Sequence, residues 1–281
     1  MVQKELELIE DSMAFSICVK EPLQSGIIEF LKAPSKRIRL VLPILYLKSL
    51  GEEITSKHIK FFSALEIIHN ASLIHDDIID ESAYRRGERT VSNEFGNKLG
   101  VISGDYLLSV AIEIILSLES VEVLSNILKT IKNMCLGEIN QNYERFKIGS
   151  IDNYINKSKN KTAYLFESAL VCPLLLCSKN YNVSNASDFG LNFGIAFQIR
   201  DDLLNIMSID DSKPSSNDIL EGIYNAPVIY SGGEENLSSG IEKTRLLLNN
   251  YINNAKDALS ILPQNEYKTA LIEISELLEN D

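Results

Sequence analysis

Four acids fall within six positions at Asp76-Asp77-Ile78-Ile79-Asp80-Glu81, and Arg85-Arg86-Gly87 follow closely. On a helix, Asp76 and Asp80 stand at i and i+4, so both carboxylates lie on one face with Cβ atoms about 5–6 Å apart. Carboxylates that close raise one another's pKa unless a cation sits between them. Hard divalent cations take oxygen ligands, and Mg²⁺ commonly completes its shell with substrate phosphates. Two arginines just downstream suit the same chemistry, because guanidinium forks grip phosphate. The plain structural alternative is a solvated acidic helix end paired to its own arginines. A second cluster, Gln198-Ile199-Arg200-Asp201-Asp202-Leu203-Leu204-Asn205, weakens that alternative, since Asp201 and Asn205 again stand at i and i+4.

Each cluster closes an apolar run. Leu65-Glu66-Ile67-Ile68-His69-Asn70-Ala71-Ser72-Leu73-Ile74 leads into the first and residues 189–197 into the second, and both runs suit buried helices. A chain of 281 residues, 45% hydrophobic, with seven prolines and no tryptophan, can bury one large helical core, so residues 1–281 are expected to form a single all-α domain. The formal charge of −12 argues against a nucleic-acid surface or a polybasic membrane patch. Cations that bind anions must therefore be concentrated locally, and Lys36-Arg37-Ile38-Arg39 at an otherwise apolar helix start is one such place. Cys18, Cys135, Cys172 and Cys177 show no C-x-x-C spacing, and three lie in apolar runs, which predicts buried reduced thiols. The three histidines form no zinc pattern, the acidic N-terminus is unlike a targeting peptide, and no apolar run reaches membrane-spanning length. A soluble cytoplasmic protein is the expectation.

The two clusters resemble the aspartate motifs of the trans-prenyl diphosphate synthases. That family's first motif, D-D-x-x-D with a trailing R-R-G, is matched in full by Asp76, Asp77, Asp80, Arg85, Arg86 and Gly87. Its second, F-Q-x-x-D-D-x-x-D, is matched by Phe197, Gln198, Asp201 and Asp202, with Asn205 in place of the last Asp. The resemblance implies an isoprenoid synthase-type helical bundle around a central catalytic cavity, with the two clusters facing one another across its mouth. It implies Mg²⁺, three ions per site with substrate bound, held by Asp76, Asp80 and Asp201, with Asp77, Asp202 and Asn205 in support. It further implies ionisation of an allylic diphosphate, attack by isopentenyl diphosphate and loss of a proton to the departing diphosphate.

Further residues carry the resemblance along the chain. Lys36 and Arg39 match the family's G-K-x-x-R grip on isopentenyl diphosphate, with Ser35 for its Gly, and His69 and Arg86 share that role. Lys161 and Thr162 match its K-T pair: Lys161 is implied to contact the allylic diphosphate, and the Thr162 hydroxyl and Gln198 amide to face the reacting carbons. Gly137-Glu138-Ile139-Asn140-Gln141 matches G-E-x-x-Q, and Gly100 to Leu107 follows a G-x-x-x-G-D-x-L pattern read as packing. Lys213 falls at the lysine of G-K-P and Asp218 follows it, but Ile223 and Asn225 stand where E-G-K-x-T has Lys and Thr, so one phosphate-binding cation is missing. Thr55 and Ser150 read as helix N-caps, a link follows Arg86 through Thr90 to Gly96, and residues 209–240 read as loops and a lid-like segment.

Product length is also legible. Ala71 and Ser72, five and four positions before Asp76, are small where short-product relatives carry a bulky aromatic. A helical turn rises about 5 Å, close to one isoprene unit, so the next floor on this helix is Ile68 and then Leu65, with Leu108 and Ile112 from the neighbouring helix. A product of geranylgeranyl length or longer is expected, from a homodimer by resemblance. Two rivals remain: a weakly catalytic or non-catalytic partner subunit of a heteromeric prenyl synthase, motivated by Asn205, Ile223 and Ser35, and a terpene cyclase. The isopentenyl grip at Lys36, Arg39 and Arg86 speaks against a cyclase, which binds one diphosphate.

Overall fold

A computed structural model describes residues 1–207, 219, 221–233 and 237–279. Apart from a two-residue β-ladder, the regular elements among these residues are helical. Contacts group them into two compact units, Met1–Ser125 with Leu175–Lys179, and Asn126–Leu174 with Asn180–Asp281.

The first unit is built on α4 (Ser56–Ile79). Thr55 caps it as the sequence predicts: its hydroxyl accepts from the His58 amide at 3.5 Å while its own amide donates to His58 Nδ1 at 3.1 Å. The helix is apolar nearly all round, so it is buried along most of its length, against α1 (Gln3–Phe15) and α6 (Asn97–Leu116). α6 approaches closely through small residues. A Cβ on Gly104 would collide with the His75 ring, and one on Gly100 would come 2.8 Å from Ile78 Cδ1. The G-x-x-x-G pattern thus seats the acidic end of α4.

Two short elements complete the approach to that end. α2 (Leu23–Lys32) precedes the basic segment, and α3 (Ile38–Ser49) begins two residues later than the cation run suggests. The cause is Arg37, which is left-handed (φ +47°) and buried, donating to Glu66 Oε1 at 2.5 Å and to the Leu31 carbonyl at 2.6 Å. After Asp80, β1 (Tyr84–Arg85) and β2 (Glu88–Arg89) form a hairpin where the sequence suggested only a link. Its turn residues, Arg86 and Gly87, have φ of +54° and +87°, the positive-φ pair that a tight two-residue hairpin needs. α5 (Val91–Phe95) leads on to α6.

α6 corrects one expectation. This 20-residue helix contains an 18-residue stretch with mean hydropathy 1.8, a third of it buried, and is long and apolar enough to cross a membrane by length and composition. α7 (Val121–Tyr143) runs from the first unit into the second. There, α8 (Ile151–Ser158), capped by Ser150 as predicted, passes through a π-helical turn (Lys159–Ala163) into α9 (Tyr164–Leu175). α10 (Ser184–Met207) is the second acidic helix and packs on α12 (Leu237–Ala258). Short α11 (Ala226–Ser231) precedes α12, and α13 (Glu266–Glu276) follows it.

The four cysteines are free, but the expected burial holds only for Cys172. Cys18 and Cys135 are exposed and Cys177 is intermediate. Cys135 fails because Met134-Cys135-Leu136 sits on an outward part of α7, where a local apolar run does not amount to a buried face.

Candidate active site

In the first unit, the consecutive aspartates separate. Asp77 is 1% exposed and its Oδ1 accepts from Arg85 Nε at 2.7 Å. Burial raises its pKa, and the Arg85 charge opposes that rise. Asp76 is half-buried, and Asp80, at the helix C-cap, is exposed. One turn of helix therefore sends the first and last acids of the motif outward and the middle one inward. The hairpin that carries Arg86 is anchored by the Thr90 hydroxyl, which donates to the Ser82 carbonyl at 2.8 Å.

Arg39, Arg86, Arg85 and Arg37 all act on His69, but with duties that differ from one another. Arg39 Nη1 lies 3.3 Å from His69 Nε2. Arginine can only donate, so His69 accepts there and carries its proton on Nδ1. Burial, then the charges of Arg39, Arg86, Arg85 and Arg37, hold the His69 pKa well below the usual histidine value, so the ring is neutral. Arg86 is pulled down by burial and by Arg37 and Arg85. A neutral imidazole beside several guanidinium charges, which also lower Arg86, marks a region that favours an anion. Lys36 is exposed on the segment before α3, and Arg85 and Arg86 line a cleft of about 770 Å³ beside the end of α2. The sequence reading counted Arg37 among the local anion-binding cations, whereas it serves as a buried pin on Glu66 and the Leu31 carbonyl.

In the second unit, Lys161 and Thr162 sit in the π turn, a distortion frequent at functional sites. A Cβ on Gly137 would come 3.0 Å from the Lys161 amide nitrogen, so this glycine allows α7 to lie close to the turn. Lys161 Nζ reaches Glu138 Oε2 at 2.9 Å, and Glu138 Oε1 accepts from Gln141 Nε2 at 3.2 Å. The G-E-x-x-Q motif is thus a seat for Lys161.

From Thr162 a hydrogen-bond chain runs inward. Its hydroxyl donates to Gln198 Oε1 at 2.6 Å, Gln198 Nε2 donates to Asp202 Oδ1 at 3.0 Å, and the Tyr154 hydroxyl donates to Asp202 Oδ2 at 2.5 Å. Asp202 is 6% exposed, and burial pushes its pKa up to about 6. Burial, with Asp202 beside it, raises Tyr154 well above an ordinary phenol. Asp201 is exposed and Asn205 half-buried, so the outward–inward division of the first motif recurs.

Ile223 lines a cleft of about 330 Å³ with Tyr154 and Lys157. Asn225 is 2% exposed, and neither polar atom of its side chain has a hydrogen-bond partner among the described residues. Lys213 and Asp218 lie outside the described residues. Of the chain-length positions, Ala71 and Ile68 are fully enclosed, whereas Ser72 is half-buried with its hydroxyl on the His69 carbonyl.

The donor set fits a hard cation: carboxylates dominate, and no thiolate or histidine cluster competes. Among the described residues no group of three or more His, Cys, Asp or Glu converges to hold a metal alone. That suits an ion whose shell a substrate's phosphate oxygens complete.

Comparison with known proteins agrees with this geometry. The family model described as polyprenyl synthetase matches residues 20–262. A prenyl transferase of Cyanophora paradoxa is 36% identical over 237 residues, covering 82% of this chain and 73% of that protein. A decaprenyl-diphosphate synthase of Dictyostelium discoideum is 32% identical over 285 residues, covering 92% of this chain and 62% of that protein. The crystal structure of heptaprenyl diphosphate synthase from Staphylococcus aureus superposes with a TM-score of 0.91 at 24% identity, covering 100% of this chain and 98% of that one, which shows the same all-α fold.

Proposed function

The chain belongs to the polyprenyl synthetase family, and we propose that it condenses isopentenyl diphosphate head-to-tail with an allylic diphosphate to give a prenyl diphosphate of geranylgeranyl length or longer. The observation that carries this reading is the matched pair of acidic helix ends, each in a unit that carries its own set of anion-binding groups. One set is Arg39, His69 and Arg86 in the first unit; the other is Lys161 in the second. Two diphosphates need two grips. The decaprenyl relative supports a long product, as do the small side chains at Ala71 and Ser72.

Asp76, Asp80 and Asp201 would hold Mg²⁺, three ions per site with substrate bound. When bound, Mg²⁺ neutralises the diphosphate leaving group, worth roughly several kcal/mol at the transition state. Lys36, Arg39, His69 and Arg86 bind and orient isopentenyl diphosphate, with His69 donating from Nδ1. Lys161 exchanges Glu138 for the allylic diphosphate. Thr162 and Gln198 present oxygen to the carbon that becomes cationic. No side-chain nucleophile is required. Asn205, a neutral amide, weakens ion binding without removing the site, because Asp201 remains.

The protein acts as a homodimer, supported by exposed Leu99, Val101, Ile102 and Leu116 on a helix as apolar as α6. Light scattering at micromolar concentration should give twice the chain mass. The function is tested by incubating purified protein with Mg²⁺, isopentenyl diphosphate and, separately, dimethylallyl, geranyl, farnesyl and geranylgeranyl diphosphates, then weighing the products. Elongated chains are expected. Folded protein that elongates no primer would favour a partner-subunit role, and diphosphate release without isopentenyl diphosphate would favour a cyclase.

A further inference from the structure

Tyr154 has no role in the chemistry derived above. It is 3% exposed, and its hydroxyl meets Asp202 across 48 positions of sequence. Its importance lies in the direction of the bonds beyond it. A carboxylate has no proton to give, so both partners of Asp202 must donate to it. The Tyr154 hydroxyl does so at one oxygen and the Gln198 amide nitrogen at the other. With the nitrogen of Gln198 committed, its oxygen faces Thr162, and the Thr162 hydroxyl donates to it at 2.6 Å. The single Thr162 proton is then spent, and its oxygen can only accept.

The π turn makes this possible. A Thr or Ser in a regular helix commonly bonds back to the carbonyl four residues earlier. Ser158, one turn before, does so, its hydroxyl on the Tyr154 carbonyl at 2.9 Å. Thr162 instead reaches across to α10.

We propose that Tyr154 is a positioning residue: through Asp202 and Gln198 it fixes the polarity of the Thr162 hydroxyl, so that lone pairs and no donor are presented to the allylic cation. The inference rests on the assignment of Thr162 and Gln198 to the reacting carbons. An O–H turned toward a developing cation would oppose it, while a preorganised oxygen dipole stabilises it without reorganisation. Asp202 on this view is a buried hub, distinct in duty from outward-facing Asp201.

The test is a double-mutant cycle in the elongation assay, with Tyr154→Phe, Thr162→Val and the double variant. Tyr154→Phe keeps the ring and should lower kcat roughly ten- to hundredfold, while KM for both substrates and the half-saturating Mg²⁺ concentration stay put. Because Tyr154 acts through Thr162, the double variant should be no slower than Thr162→Val alone. Asp202→Asn is the companion, and it decides the matter if Tyr154→Phe does not fold. With the Tyr154 hydroxyl still donating to the oxygen of an amide at position 202, the amide nitrogen faces Gln198 and turns it over, which frees the Thr162 proton, so kcat should fall with KM intact. Losses that multiply in the double variant, or a raised Mg²⁺ requirement for Tyr154→Phe or Asp202→Asn, would overturn the proposal. A wild-type protein that elongates no primer would overturn the functional reading with it.

Discussion

The two acidic motifs are written almost alike and folded alike, but their buried aspartates are satisfied by opposite means. Asp77 is held by a cation, Arg85, at 2.7 Å. Asp202 is held by two neutral donors, Tyr154 and Gln198. In each motif the preceding aspartate points outward. On the proposed reading the tandem Asp-Asp is one device with two ends, an outward acid that would hold metal and an inward acid for the scaffold. The inward end differs according to what lies behind it. Behind Asp77 is the hairpin that presents Arg86; behind Asp202 is the Thr162 hydroxyl. The first motif spends its buried charge on placing an anion grip, and the second on orienting a dipole.

Breaking the outward end should have the largest effect. Asp76→Asn is expected to lower kcat by about 10³-fold, since several kcal/mol of charge stabilisation passes through such a ligand, with little change in melting temperature because the side chain is half-buried. Steady-state rates and a thermal melt check both halves. The inward ends should separate by stability. Asp77→Asn leaves the Arg85 guanidinium without its counter-charge and should destabilise the fold by roughly 2 kcal/mol, reduced from a fully buried pair because Arg85 can turn to water. Asp202→Asn, among neutral partners, should cost about 1 kcal/mol. Equal losses in urea unfolding would erase the distinction.

Acid titration sharpens the same contrast in metal-free protein. The Asp202 pKa rises from an ordinary aspartate value of 3.8 to about 6 on folding, so the native state holds this proton more tightly than the unfolded chain does. Stability from this group is full below about pH 4 and is lost as pH rises toward 6. Relative to Asp202→Asn, the wild type should therefore weaken between those values and run parallel above them. His69, with its pKa depressed, acts in the opposite sense: its contribution is present above the ordinary histidine pKa of 6.5 and is lost as pH falls below it. The smallest effect concerns the product. Ser72→Phe should shorten the chain without unfolding the protein, whereas Ala71→Tyr should both shorten it and destabilise, because Ala71 has no free surface to grow into. An unchanged product distribution for both variants would sink the wall assignment.

What the sequence made legible follows a physical line. The helices, the Thr55 and Ser150 caps and the acidic helix ends were readable because helical period, cap chemistry and i, i+4 spacing are local. The hairpin was half-written in Arg86-Gly87, since glycine suits one of its two positive-φ positions. Arg37 in a left-handed conformation was not readable, because its cause is Glu66, 29 residues away. Tyr154 was passed over and Glu138 was matched to a motif without a duty for the same reason: each acquires its meaning from a partner on another helix. The exposed Cys135 shows the converse, where a local apolar run misled because it did not follow a buried face.

The most direct measurement is a Mg²⁺ titration of elongation for Asp201→Asn beside Asp202→Asn. Neighbours in sequence, they should fail differently: Asp201→Asn should raise the half-saturating Mg²⁺ concentration by roughly tenfold or more, and Asp202→Asn should leave it unchanged while lowering kcat. If both variants shift the Mg²⁺ requirement together, the inward aspartate is a metal ligand after all, and the division between outward and inward acids is wrong.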